Sequence, residues 1–547
     1  MKRVLALLLA LTLTASLAAG CAVGGGSGSG PGGGGATTTA GAVKAPEDDM
    51  SVHYTISYTP IGADISWDFN SDPAVKHFQD KFNFSWDIIP LTWGDWIERG
   101  RIWISAQDMP DVLFTNFNFK DYASWADQDL IKRFPTNWKL MYPNLADVYN
   151  QTMLGPALEE VIPGETALFP NIIFFTKPTT PKIAPHFSLY FRKDWASALG
   201  YEIKDAYNLQ EFSDMVADFL ARGSEIGVDA GGMIDTWALN TGVLSGTHFN
   251  AQWTDSTRIY KKDGKYVWGP RDPKVFELLE YMQYNINRGV VSPNFASFVS
   301  EEENGFFFSG QSFGIFTHGW VGPVNGNYGS FNRNTGLEAL DCIQLAVLTD
   351  PDGNFQEYEQ LNYWSCMMID PKMDDAKFHR ILSLFDYVVT PEAQNIIRMG
   401  IEGESWERDA DGKFKITRPW NNETNNYVSL SDLYPGLQPF GSFLILGDDF
   451  SARSPAIKDE YHKVARTMYA TKQRIGIDTG TVKDYNFETA FFQGENYLRL
   501  NINVGQELVQ LAVEGGDLRG KFETWLAERA PLIDPALDEL NEAYGSK

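Results

Sequence analysis

The chain has 547 residues, with 71 acidic against 45 basic side chains and a formal net charge of −26. That balance argues against nucleic acid as a partner, because phosphates are repelled. The length exceeds what one core fills and calls for two lobes. Aromatic residues make up 14%, including 16 tryptophans, flat apolar area that serves a large core or a pocket stacking on sugar rings.

In chain order, Lys2 and Arg3 precede an apolar run from Val4 to Leu13, and small residues lead to Cys21. This pattern predicts an export signal over residues 1–20. Leu17-Ala18-Ala19-Gly20-Cys21 resembles the lipobox of bacterial lipoproteins, which implies cleavage before Cys21 and lipidation of that residue. The alternative is an ordinary secretory signal that merely contains a cysteine. Residues 22–49 are Gly, Ser, Thr, Ala and Pro with almost no large apolar side chain, so a flexible linker is expected over 21–50. No second run is long enough to cross a bilayer. Cys342 and Cys366 are too few for a disulfide framework, and pairing and free thiols stay equally open.

Val52–Tyr58 alternates as a strand. Asp72-Pro73 opens a helix with Val75, Phe78 and Phe82 on one face, and strands follow at Phe84–Leu91 and Asp111–Thr115. Strand, helix, strand in succession implies a parallel sheet. The pattern then repeats with a strand at Ser188–Arg192 and a helix from Asn208 to Leu220, Asn208 as its cap. A helix starts at Asp272-Pro273 and ends before Gly289, and strands follow at Phe313–Thr317, Cys342–Leu348 and Cys366–Ile369. Thr390-Pro391 caps a helix that stops at Gly400. Asp263-Gly264 and Asp411-Gly412 signal hairpins. The fold class is α/β in two lobes.

The sequence lacks a phosphate-binding P-loop, a zinc spacing and a hydrolase serine elbow. Asp350-Pro351-Asp352-Gly353-Asn354 begins like a calcium loop but has no glycine at its sixth or glutamate at its twelfth position, and reads as a turn. Carboxylate pairs for glycoside cleavage meet in space rather than in sequence, so this silence only points toward binding. No cofactor and no metal is expected.

YFRKDWASALGY (190–201), Met109-Pro110-Asp111-Val112, GKYVWGPRDPKVFELLEYMQYNINRGVVSPNF (264–295), GQSFGIF (310–316) and RMGIEGESW (398–406) together resemble extracellular solute-binding lipoproteins of ABC importers, in particular the large carbohydrate-import subgroup. The resemblance spans residues 52 to about 470. It implies a type II periplasmic-binding-protein-like fold, with two α/β lobes joined by a hinge that the chain crosses more than once. The first lobe is expected from 51–185 and 346–400. The second is expected from 186–345 and 401–547, the latter including C-terminal helices. The implied function is capture of a carbohydrate, an oligosaccharide above all, between the lobes of a monomer. Delivery is to ABC permease subunits at the extracellular face of the bacterial membrane. Two alternatives stand beside it: an exported carbohydrate-active hydrolase or lyase, and a receptor of the same fold for a peptide or other small solute.

Ligands of open parallel sheets lie beyond the carboxyl ends of the strands. Candidates there are Trp67 and Asp68 after the first strand, Asn116 after the third, and Trp237 in a Gly-rich segment. Trp320 follows the Phe313–Thr317 strand, Tyr363 and Trp364 precede the Cys366 strand, and Glu404 and Trp406 follow Gly400. Stacking by the aromatics would supply affinity, and the polar groups would orient hydroxyls. Trp195 is assigned to core packing.

Overall fold

The computed structural model describes residues 45–545 apart from 63–65, 93, 118, 164, 174–186, 234–258, 292–299, 350–356, 359–360, 423–425, 447–453, 478–481 and 484–486. Strands β1 (Tyr54–Tyr58), β2 (Phe84–Ile88), β3 (Val112–Thr115) and β4 (Leu168–Ile172) come first. They are followed by β5 (Phe187–Arg192), β6 (Ala206–Asn208), β7 (Gly231–Met233), β8 (Ile259–Lys262) and β9 (Lys265–Trp268). The series closes with β10 (Ser312–His318), β11 (Ile343–Thr349), β12 (Glu357–Tyr358) and β13 (Tyr363–Ile369). Two five-stranded sheets result, ordered β2-β1-β3-β13-β4 and β6-β11-β5-β10-β7. Each has helices packed on it and its own aromatic-rich core, which makes the two α/β lobes. No helix among the described residues is long and apolar enough to cross a membrane.

Local chemistry sets the elements. Asp72 caps the helix Pro73–Phe82 by accepting from the Ala74 N–H, and Pro73 stands at its first turn, where a missing donor costs nothing. Val75, Phe78 and Phe82 are buried, each contributing about 1.5–3 kcal/mol of apolar burial. Asn208 caps Leu209–Arg222 from the Glu211 N–H at 2.8 Å, and Thr390 caps Pro391–Met399, which ends at Gly400. Asp263 and Gly264, with φ of 51° and 80°, make the tight turn between β8 and β9, the left-handed pair that matches strand twist. Trp195 is buried and stacks on Phe219 with ring centroids 5.0 Å apart.

Three expectations change. β2 stops at Ile88 because Pro90 has no N–H to give, although Ile89 and Leu91 still donate to the Tyr58 and Pro60 carbonyls at 2.9 Å. Cys342 ends the short helix Ala339–Cys342, and β11 begins after it. Residues from 401 onward do not all join the second lobe. Tyr434, Leu437, Phe440, Phe443 and Ile445 lie in the first core, and Ile445 bridges Ile172 on β4. Large apolar side chains at 434–445 have an aromatic wall of Phe78, Trp86 and Phe385 to fill there.

Cys342 and Cys366 are both free and buried, one in a second-lobe cluster and the other on β13 of the first. Burial pushes the Cys342 thiol up to about 11 and raises that of Cys366 further.

Candidate functional site

The strand registers define one special edge on each sheet. In the first, β1, β2 and β3 run parallel, so their carboxyl ends lie together. β13 runs antiparallel to β3 with Cys366 opposite Thr115, and Tyr363 lies opposite Ile172 on β4. The start of β13 and the end of β4 therefore share that edge. In the second sheet, β10 and β11 run antiparallel to β5, and β6 and β7 run parallel to them. The carboxyl ends of β6, β7, β10 and β11 thus gather where β5 begins. Chain connectivity links these two edges. The chain passes from the end of β4 to the start of β5, and from the end of β11 to the start of β13. It passes again from Leu446, whose N–H donates to the Ile172 carbonyl at 2.8 Å, toward the helix Asp459–Lys472 on the second lobe.

At the first edge Trp364 is half-buried and rests on Trp96 and Phe114, with ring centroids 5.3 and 5.6 Å away. Its orientation comes from a break in the ladder. The register shifts between Tyr363 and Cys366, and Ser365 takes a left-handed φ of 61°. A bulge of this kind re-aims a side chain, and a non-glycine residue in that conformation costs roughly 1–3 kcal/mol, strain of the type found at functional sites. Asn171 on β4 donates to the Ser365 Oγ at 2.9 Å and holds the distortion. Asn116 is half-buried just past β3, its Oδ1 accepting from the Phe117 N–H at 3.0 Å. Tyr363 is buried among Leu113, Met368 and neighbouring apolar groups. Trp67 is 48% exposed in the loop after β1, and Asp68 beside it caps the turn Phe69–Ser71.

At the second edge Trp320 takes the N-cap position of the helix Val321–Thr335 and is half-buried. Its ring lies 4.6 Å from His318, the last residue of β10, and the His318 carbonyl accepts from the Tyr190 hydroxyl at 2.7 Å. Trp237 falls outside the described residues. Glu404 and Trp406 belong to neither edge. Trp406 is buried with Met399 and Ile416 and donates its indole N–H to the Gly400 carbonyl at 2.9 Å. Glu404 is exposed and accepts from the Tyr434 hydroxyl at 3.0 Å. The registers thus bring Asn116, Tyr363 and Trp364 together, with Trp67 in a loop leading from the same edge and Trp320 on the other. His318 and the Ser365 bulge have no signal in a single sequence, since a strand end and a register shift exist only once partners are known. Among the described residues, no three His, Cys, Asp or Glu side chains form a group fit for a metal.

Two sheets of this order, joined through the carboxyl edges by repeated crossings, make the type II periplasmic-binding-protein-like fold, the fold of solute-binding proteins. Solved structures share it across nearly the whole chain. The Streptococcus pneumoniae ABC-transporter substrate-binding protein FusA, in complex with kestose, is 14% identical with a TM-score of 0.60, covering 90% of this chain and 98% of that one. The HMO-binding, ABC-transporter-associated solute-binding protein from Bifidobacterium longum infantis is 12% identical with a TM-score of 0.58 over 90% and 98%. The N-glycan transport solute-binding protein NgtS of Streptococcus pneumoniae, bound to Man1GlcNAc, is 13% identical with a TM-score of 0.55 over 90% and 98%. No protein-family model and no curated protein matches the sequence.

Proposed function

We propose that the protein is an extracellular, membrane-tethered receptor that captures an oligosaccharide between its lobes and delivers it unchanged to the permeases of an ABC transporter. The observation that carries the reading is the convergence of both carboxyl edges on the same chain crossings, with Trp364 on a strained bulge at one edge and Trp320 at the other. Tryptophan offers a sugar ring a wide apolar face, and neighbouring asparagine and aspartate groups can orient hydroxyls. The structural neighbours that carry kestose, HMO or Man1GlcNAc in their names favour a saccharide over a peptide. A ligand touching both lobes binds the closed form better than the open one, and that difference shifts the population toward closure. Lipidation at Cys21 and the linker over residues 22–49 would keep the receptor beside its permease and raise its local concentration.

A thermal-shift screen of the whole protein against oligosaccharides and peptides identifies the ligand class, because a ligand of the folded state raises its melting temperature. Trp320→Ala is then expected to weaken the saccharide tenfold or more, about 1.4 kcal/mol. Unchanged calorimetric affinity would remove Trp320 from the site. Conversion of the saccharide by purified protein would replace the receptor reading with an enzyme.

A further inference from the structure

Residues 400–422 and 426–434 form a small module beside the first lobe that holds a buried cation without a counter-charge among the described residues. Arg418 lies between the hairpin of Trp406–Arg408 with Phe414–Ile416 and that of Trp420–Asn421 with Asn426–Tyr427. It is 9% exposed, and its Nε is buried with no hydrogen-bond partner. Among the described residues its terminal nitrogens have no hydrogen-bond partner, and only the Nε is an enclosed, unpaired nitrogen. The titratable groups that act on it are the hydroxyls of Tyr427 and Tyr434, with no carboxylate among the described residues. Burial pushes the guanidinium below its ordinary pKa.

The other arginines buried as deeply, Arg192 and Arg380, each hold a carboxylate, that of Asp194 or Asp48. The nearby Glu404 accepts from Tyr434 instead. The backbone around Arg418 is pinned. The N–H groups of Thr417 and Arg418 both donate to the Ser405 carbonyl, at 3.1 and 3.3 Å, and Val428 donates to the Pro419 carbonyl at 2.8 Å. The Thr417 hydroxyl donates to the Glu404 carbonyl at 3.0 Å.

A guanidinium Nε enclosed without a partner is costly, and in a chain of net charge −26 an internal counter-ion would have been easy to supply. We infer that Arg418 is the recognition point for an oxyanion, a carboxylate, sulfate or phosphate group, which the planar fork of arginine grips at its outer edge. The partner chemistry is that of flat, charged oxygens, which an arginine holds more strongly than neutral groups. Such a group can arrive on an acidic saccharide or as a free inorganic ion. The module touches the start of the second-lobe helix, with Ala456 against the Trp406 cluster and Lys458 5.9 Å from the Trp420 ring. The saccharide source rests on the proposed function; the inorganic source does not.

The test uses the full chain in thermal unfolding and calorimetry. The probes are sodium sulfate, sodium phosphate and a uronic-acid oligosaccharide, each against sodium chloride of equal ionic strength, with a neutral oligosaccharide titrated separately. The expected result is that at least one oxyanion raises the wild-type midpoint above the chloride control. Arg418→Met is expected to bind that oxyanion at least about tenfold more weakly and, without ligand, to melt higher than wild type. Arg418→Lys, which keeps the charge and loses the fork, is expected to fall between them and serves if the methionine variant does not fold. Because sulfate and phosphate stabilise folded chains generally by exclusion, only stabilisation that Arg418→Met loses counts: from the inorganic ions alone it assigns the site to a free anion, from the uronate alone to an acidic saccharide. No stabilisation by any oxyanion, or undiminished binding in Arg418→Met, overturns the inference. Failure of every saccharide in the thermal-shift screen, with an inorganic oxyanion still bound, would sink the receptor reading while leaving an inorganic site intact.

Discussion

Arg380, at the base of the first lobe, and Arg418, in the neighbouring hairpin module, are both buried, yet their surroundings differ in kind. Arg380 is fully enclosed and saturated. It holds both carboxylate oxygens of Asp48, and donates to the carbonyls of Asp49 at 2.9 Å, Val52 at 3.2 Å and Phe82 at 2.6 Å. It ties the segment around Asp48 and Asp49 to the start of β1 and to the helix Pro73–Phe82. Arg418 meets no acid among the described residues. The difference teaches that depth of burial does not define the role of a charge. A saturated guanidinium serves as a structural rivet, whereas an unsaturated one is held ready for something outside the chain.

The contrast predicts effects of opposite sign. Arg380→Ala removes one partner from a closed network and leaves Asp48 and several carbonyls unpaired. It is expected to cost about 3–5 kcal/mol in denaturant unfolding. A loss below about 1 kcal/mol would mean that the network is not structural. Asp72 is a second saturated charge, accepting from the Ala74 and Gly436 N–H groups, each at 2.8 Å. A Cβ on Gly436 would meet the Asp72 Cβ at 2.4 Å, so the two backbones approach closely. Asp72→Ala should cost about 2 kcal/mol through the lost cap and the stranded donors, and a neutral result would show that water replaces the carboxylate there. Arg418→Met should run the other way, adding about 1 kcal/mol in the absence of ligand; a destabilised variant would place Arg418 with Arg380 as a rivet.

The smallest effect concerns His379, half-buried on the helix Asp375–Val388 and bonded to the Tyr142 hydroxyl at 2.7 Å. Burial lowers its pKa below the ordinary 6.5. Below pH 6.5 the unfolded chain takes up a proton that the folded chain resists. The stability due to the neutral imidazole is therefore present above that pH and declines as pH falls. Wild type and His379→Gln should track each other above pH 7 and separate below 6.5, with wild type losing more. Parallel curves down to pH 5 would show that the imidazole protonates as freely folded as unfolded.

Much of the framework was legible in local chemistry. Asp72-Pro73, Asn208 with Glu211, Thr390-Pro391 with Gly400 and Asp263-Gly264 each mark an element boundary within a few residues, because caps and tight turns are decided by neighbours in sequence. The candidate site was legible in part. Trp364 and Trp320 stand out as aromatic residues at strand ends, and they lie at the edges the registers define. Trp406 shows where such reasoning stops, since an indole after a helix-ending glycine can point outward or close a small core. Here Met399 and Ile416, brought together by a hairpin, close around it. Arg418 carried no signal, because an arginine in a polar stretch is ordinarily solvated and only its neighbours' positions bury it.

Residue order alone fixed the alternation of strands and amphipathic helices, and with it two α/β layers, because the apolar period of each segment states which face must leave water. It also fixed an aromatic-rich, strongly acidic composition that argues against nucleic acid as a partner. Only tertiary packing placed β13 between β3 and β4, sent residues 434–445 back to the first core, twisted Ser365 into a bulge beneath Trp364 and left Arg418 without an acid among the described residues. Each of those depends on contacts between segments tens to hundreds of residues apart, where burial and hydrogen-bond satisfaction are settled jointly by the whole fold.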